Sequence, residues 1–228
     1  MRKLTSVLAA AALSLGAVPL SAHPDSGPAF TLASVEADAA RGDAEAIATL
    51  GWMYETGTGV DENAGKAASL YQTAVTKGDA LGQWRLGVMI DEGKTAGSDT
   101  QAVALFREAV AGKSAGATAS LGVMYATGRG VERDYEAAMR YYQAAARMGS
   151  AHGLEGIGVL YANGQGVARD MEEALAHWLA AASAGDEDAA SLLMRFMPES
   201  GTPEAAVIFN RAMAIADDYG IGAAKGGQ

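Results

Sequence analysis

The residues able to do chemistry are few. The chain has three histidines, His23, His152 and His177, and no cysteine. Disulfides, thiolate metal sites and cysteine nucleophiles are therefore excluded. No two histidines stand at a metal-ligand spacing. Ser150 and His152 are two residues apart, which does not place them on one helix face for a nucleophile–base pair. His177 neighbours Trp178 and reads as a helix-surface histidine. The pairs Glu172-Glu173 and Asp217-Asp218 read as solvated or capping carboxylates at helix ends, because acid–base work needs a cleft that shifts their proton affinity. The Gly-x-Gly loops could cradle a phosphate, but a phosphate loop needs a preceding strand and a lysine followed by Ser or Thr. Neither is present. The expectation is a non-enzymatic protein with no catalytic residue, cofactor or metal.

The elements carrying these residues recur. Gly42, Gly78, Lys113, Gly149 and Gly185 open successive units at intervals of 36, 35, 36 and 36. Each is followed by a polar helix start: Asp43, Asp79, Ser114, Ser150 and Asp186. Such side chains satisfy orphan amides at a helix N-terminus. The first helix of each unit then presents Leu50, Leu86, Leu121, Ile157 or Leu193 at one equivalent position. Gly51, Gly87, Gly122 and Gly158 follow. A glycine inside a helix costs ~1 kcal/mol against alanine, so its recurrence points to a close backbone approach by a neighbouring helix. A Gly-x-Gly-Val loop at Gly57, Gly128 and Gly164 ends the helix. Asn63, Ser98, Asp134 and Asp170 open the second helix, with Asp170 and Glu173 matching a capping box. Ala67, Ala102, Ala138, Ala174 and Ala205 are each followed four residues later by Tyr71, Phe106, Tyr142, Trp178 or Phe209, a small–large face on one side of the helix. Stacked repeat units bury such rings as a continuous core.

The leucine-to-ring distance is 21 residues in units one, three and four. It is 20 in unit two, where Glu92 to Gly97 replaces the usual loop, and 16 in the fifth, where Pro198 to Pro203 shortens the turn. Thr202 and Pro203 suit the N-cap and first turn of the last helix. The expected organisation is a secretory signal at 1–22, a linker at 23–29 and a capping helix at 30–41. Four repeats follow over 42–184 (42–77, 78–112, 113–148 and 149–184), then a degenerate capping repeat at 185–220 and a tail at 221–228. The signal rests on Arg2-Lys3, the uncharged run Leu4 to Val18, and Ala22 as the cleavage residue. Its apolar run is short for a membrane span, so no stable membrane insertion is expected after cleavage. His23-Pro24-Asp25 copies the J-domain tripeptide but lies outside the interhelical loop that tripeptide needs. A copper site at an N-terminal His23 lacks further ligands.

The pattern Gly-Asp-Ala, Leu-Gly-x-Met-Tyr, Gly-x-Gly-Val, Asp, then Ala and an aromatic ring resembles the Sel1-like repeat, a relative of the tetratricopeptide repeat. The resemblance is good over 42–184 and weak over 185–216. It implies an all-α, right-handed superhelical α/α solenoid of helix–turn–helix repeats. It also implies an adaptor or scaffold role in signalling or secretion. Some secreted bacterial relatives are cysteine-rich and β-lactamase-like; the lack of cysteine sets this chain apart from them.

The formal net charge is −10, which repels phosphate backbones and argues against nucleic acid as a partner. The surface left for function is a groove along the first helices. Its residues, on the stripe that avoids the core leucine, are Glu45, Thr49 and Trp52; Leu81, Arg85 and Val88; Gly116, Ser120 and Val123; and His152, Gly156 and Val159. The row Trp52, Val88, Val123, Val159 is apolar. A tryptophan and an arginine beside it make a peptide anchor. Periodicity equally allows the same row to be packing between units. The expected role is an exported adaptor or scaffold holding a protein or peptide in the bacterial cell envelope, periplasmic or secreted. The alternative is a hydrolase, or an enzyme-associated protein, acting on cell-wall material.

Overall fold

A computed structural model of the protein describes residues 31–221. The expected signal, the linker and nearly all of the tail lie outside these residues. The described chain is helical throughout, with no strand. The helices are α1 (Leu32–Ala40), α2 (Ala44–Thr56), α3 (Ala64–Thr76), α4 (Ala80–Asp91), α5 (Asp99–Ala111), α6 (Ala115–Thr127), α7 (Tyr135–Arg147), α8 (Ala151–Asn163), α9 (Met171–Ser183), α10 (Glu187–Phe196) and α11 (Pro203–Asp218). They form two compact units, α1–α6 and α7–α11, which divide between Arg133 and Asp134.

In the α1–α6 unit, α2 pairs with α3 and α4 with α5; α4 also packs on α3, and α6 on α5. The first helices α2, α4 and α6 lie side by side. In the α7–α11 unit, α8 packs on α7 and pairs closely with α9. The predicted core leucines Leu86, Leu121, Ile157 and Leu193 are buried, and Leu50 is half-buried. The rings Tyr71, Phe106, Tyr142 and Trp178 are buried, as are Ala67, Ala102, Ala138 and Ala174.

The glycine after the leucine has a geometric cause. A Cβ on Gly51 would lie 2.8 Å from the Tyr71 ring, one on Gly87 2.6 Å from Phe106, and one on Gly158 2.5 Å from Trp178. Repeats one, two and four thus cut a notch in the first helix and seat the ring of the second helix in it. The same device joins neighbouring units. Gly116 of α6 lies under the Trp84 ring of α4, and Gly156 of α8 under the Tyr142 ring of α7.

The helix ends follow the sequence with three departures. Asp43, Asp79, Ser114 and Asp186 each accept a backbone N–H three residues on, as do Asn63, Ser98, Asp134, Asp170 and Thr202. Ser150 makes no such bond. Asp170 caps α9 through the Glu173 amide, but the Glu173 carboxylate does not return the bond: it grips Arg211 instead, with Nη2 to Oε1 at 2.7 Å. Gly57, Gly128 and Gly164 close their helices in the left-handed region, with φ of 70°, 75° and 66°. Lys113 stands where the other units have glycine and still takes φ of 62°.

The fifth unit is not a shortened repeat hairpin. α10 and α11 both pack on α9, without the close pairing seen within the repeats. Phe196 of α10 lies 6.1 Å from the Trp178 ring, while Phe209 is only half-buried. Met194, at the notch position, is 63 % exposed because no second-helix ring closes over it.

Candidate functional site: the face of the first helices

The α2, α4 and α6 face of the first unit is built on a polar floor. Glu55, one turn beyond Trp52 on α2, accepts a hydrogen bond from the Tyr71 hydroxyl at 2.6 Å. The Arg85 Nε lies 3.5 Å from the same carboxylate. Burial and the Glu55 hydrogen bond together push the Tyr71 phenol well above its ordinary range, so it stays a neutral donor. The Arg85 guanidinium also lies 5.0 Å over the Trp84 ring, a cation–π arrangement. The Trp84 Nε1 donates to Ser120 Oγ at 3.2 Å, tying α4 to α6. Further along the face Arg129 holds Asp91, with Nη1 to Oδ1 at 2.6 Å. Burial raises the Asp91 carboxyl above its usual range despite that partner.

Above this floor Trp52 is 36 % and Val123 37 % exposed, with Val88 half-buried between them on α4. The row is therefore open to solvent on this unit rather than sealed into packing. Glu45 is exposed and Thr49 half-buried. Leu81 leans into the cluster of Ile47, Ala48 and Ala74. Arg85 is tied to Glu55 and Trp84, with a side chain 20 % exposed, so it stiffens the floor more than it reaches outward.

In the second unit His152 and Val159 lie on α8, the first exposed and the second half-buried, and Gly156 is buried under the Tyr142 ring. The His152 Nδ1 is 2.5 Å from Oδ2 of Asp186, whose side chain is wholly buried and whose Oδ1 accepts the Ala189 amide at 2.8 Å. One carboxylate thus caps α10 and clasps α8. Burial alone would disfavour its charge, but His152 and the backbone amides outweigh it and hold the Asp186 carboxyl below its ordinary range. The hydrogen bond to Asp186 raises the His152 imidazole. Glu155, one turn on, is half-buried beside Asp186 and Asp188, and burial with these like charges pushes it up to about 7. Within this cluster Asp186 is committed to His152 and to the α10 cap.

Sequence reasoning missed several of these groups. Glu55, Trp84 and Glu155 lie off the chosen stripe, and Asp186 was read as a helix cap without its bond to His152. The signal that could have exposed Trp84 is Gly116: a glycine where other units carry Glu45, Leu81 and His152 leaves room for a ring from the preceding unit. His177 is not on the surface. It is 5 % exposed, its Nδ1 lies 2.9 Å from the Glu173 carbonyl, and its ring stacks on Tyr161 at 5.7 Å. Burial accordingly lowers its proton affinity. Glu173 is likewise no solvated end carboxylate, since Arg211 binds both its oxygens.

Comparison with known proteins identifies the repeat. The Sel1 repeat matches at residues 44–79, 80–114, 115–150 and 151–186. Among solved structures, a Sel1 repeat protein from Oxalobacter formigenes is 27 % identical, with a TM-score of 0.59, over 75 % of this chain and 72 % of that one. The c5321 protective antigen of uropathogenic Escherichia coli strains, which displays an SLR fold, is 23 % identical with a TM-score of 0.64; the match spans 81 % of this chain but only 40 % of that one. The immunity protein Pa5087 from Pseudomonas aeruginosa is 21 % identical with a TM-score of 0.55, over 93 % of this chain and 83 % of that one. The latter two likenesses are of fold alone. A search of curated proteins gave no match. Four consecutive matches, together covering more than half of the sequence, establish that this chain belongs to the Sel1 repeat family.

Proposed function

We propose that the protein is an exported interaction module that holds a protein or peptide partner on the α2–α4–α6 face, in the bacterial cell envelope. Sel1 repeat proteins in general mediate protein–protein interactions and are typically non-catalytic scaffolds. The observation that carries the reading is the open row Trp52, Val88, Val123. It sets two exposed apolar side chains on helices that lie side by side, over a floor stiffened by Glu55, Arg85 and Trp84. Preorganised apolar anchors of this kind carry most of the energy in protein interfaces. Export is supported by the Arg2-Lys3 start, the apolar run and Ala22 in the sequence.

A photo-crosslinking residue at Val123, compared with one at the exposed Thr73 on the second-helix side of the same unit, tests the face. Adducts in envelope extracts are expected from position 123 and not from 73. Adducts from 73 alone would place the partner on the other side. N-terminal sequencing of the envelope form is expected to begin at or near His23; full-length protein retained in the cytoplasm would refute export.

A further inference from the structure

We propose that the α2–α4–α6 face selects a partner segment that is apolar and net basic, rather than an acidic segment or a second copy of this chain. The proposal rests on the groove reading above and adds the chemistry of the occupant. The charged residues on these three helices are Glu45 and Glu55 on α2 and Arg85 and Asp91 on α4; α6 has none. The cations carried by or ion-paired to these helices are already used, while Lys66 lies over the Tyr54 ring and Arg107 donates to the Tyr125 hydroxyl from the second helices. Arg85 faces Glu55, and Arg129 is paired with Asp91 through both terminal guanidinium nitrogens, Nη1 and Nη2. Glu45 has no ion pair among the described residues. It lies two helical turns before Trp52, about 10 Å along the same side of α2.

The one cation the three helices carry, Arg85, is already paired, so an incoming carboxylate would lie among Glu45, Glu55 and Asp91. An incoming lysine or arginine would find Glu45, without an ion pair among the described residues, at one end of the row. Its aliphatic stem can lie on the Trp52 ring, and its apolar neighbours on Val88 and Val123. The net charge of −10 adds a long-range field that draws cationic partners in and repels a second copy of the chain.

The test is a random peptide library displayed on phage. It is selected on the wild-type protein and counter-selected on Trp52→Ala and, separately, on Val123→Lys, each checked for an unchanged helical spectrum. Two counter-selecting variants keep the test usable should one of them misfold. The expected peptides combine apolar residues with an excess of Lys and Arg over Asp and Glu. Their binding weakens with added salt, and replacing their basic residues by glutamate weakens it ~10-fold or more, as like charges at an interface do. The Glu45→Lys variant is expected to lose most of that preference. Selected sequences with equal or greater acidic content, or a preference unmoved by Glu45→Lys, overturn the charge assignment while leaving the groove standing. Failure to recover any peptide dependent on Trp52 or Val123 overturns the groove itself.

Discussion

Replacing Glu155 by glutamine should make the protein more stable, by an amount that opens above pH 4.5 and is nearly complete by pH 7. Glu155 sits half-buried on α8 beside the carboxylates of Asp186 and Asp188, with His152 as its facing cation and its own backbone carbonyl accepting the Trp178 indole at 3.2 Å. Its proton affinity rises from an ordinary 4.5 to about 7. A group whose folded value lies above its unfolded value stabilises fully below the unfolded value. That contribution is lost as pH climbs through the folded one. Below pH 4.5 wild type and Glu155→Gln should therefore be alike. Near pH 8 the wild type must hold a charge the site resists, at a cost of roughly 3 kcal/mol from the ~1.4 kcal/mol carried by each tenfold change in affinity. Glutamine keeps the shape and removes the charge. His152 is raised as well, chiefly through Asp186 and in part by Glu155, so its contribution is full below pH 6.5, fades above it, and is smaller in the variant. Asp186 is held low, so its contribution is lost only toward acid pH. Urea unfolding followed by circular dichroism at pH 5 and pH 8 reads the difference directly. A gap between the two proteins that widens with pH is expected. An equal gap at both values, or a variant less stable than wild type at pH 8, refutes the argument.

Three further perturbations follow from the packing. Leu121→Ala, at a site 1 % exposed, should cost ~2–5 kcal/mol by opening a cavity; an unchanged thermal midpoint would deny its burial. Gly158→Ala drives a methyl to 2.5 Å from Trp178 Nε1 and 3.0 Å from the Ala174 carbonyl, and should cost ~1–3 kcal/mol by overpacking, visible as a lower urea midpoint. Lys113→Gly relieves a left-handed lysine with φ of 62° and should raise stability by ~0.5–1 kcal/mol, strain relief exceeding the entropy glycine adds to the unfolded chain; a fall in the midpoint would show that the lysine side chain contributes more than its backbone costs.

The repeat period, the leucine and ring positions and most of the helix caps were legible because each depends on local periodicity repeated along the chain. The notch glycines were legible as a close approach, though not which ring filled them. The fifth unit was misread because the leucine–ring spacing says nothing about whether two helices close on each other: α10 and α11 go separately to α9. His177 was misread because a histidine beside a core tryptophan can turn inward when a neighbouring backbone carbonyl accepts its ring nitrogen, as Glu173 does. The stripe from Glu45 to Val159 named the open row on the first unit. It could not show that Arg85 is anchored, since Glu55 and Trp84 are brought to it by tertiary packing alone.

The ring-and-notch pairs bear on how such a gene can grow. Gly51 with Tyr71, Gly87 with Phe106, and Gly158 with Trp178 each lie within one repeat, so duplicating or deleting a whole repeat carries lock and key together. The seams between neighbours are less portable. Trp84 needs a glycine in the next unit, supplied by Gly116, and Tyr142 needs Gly156. A cassette carrying Glu45 or Leu81 at the first of those places would strike the indole. A copied repeat therefore brings its own ring and notch but must still fit its new neighbours: a second copy of repeat two after the first would set Leu81 against Trp84, so the order of neighbours is sterically constrained.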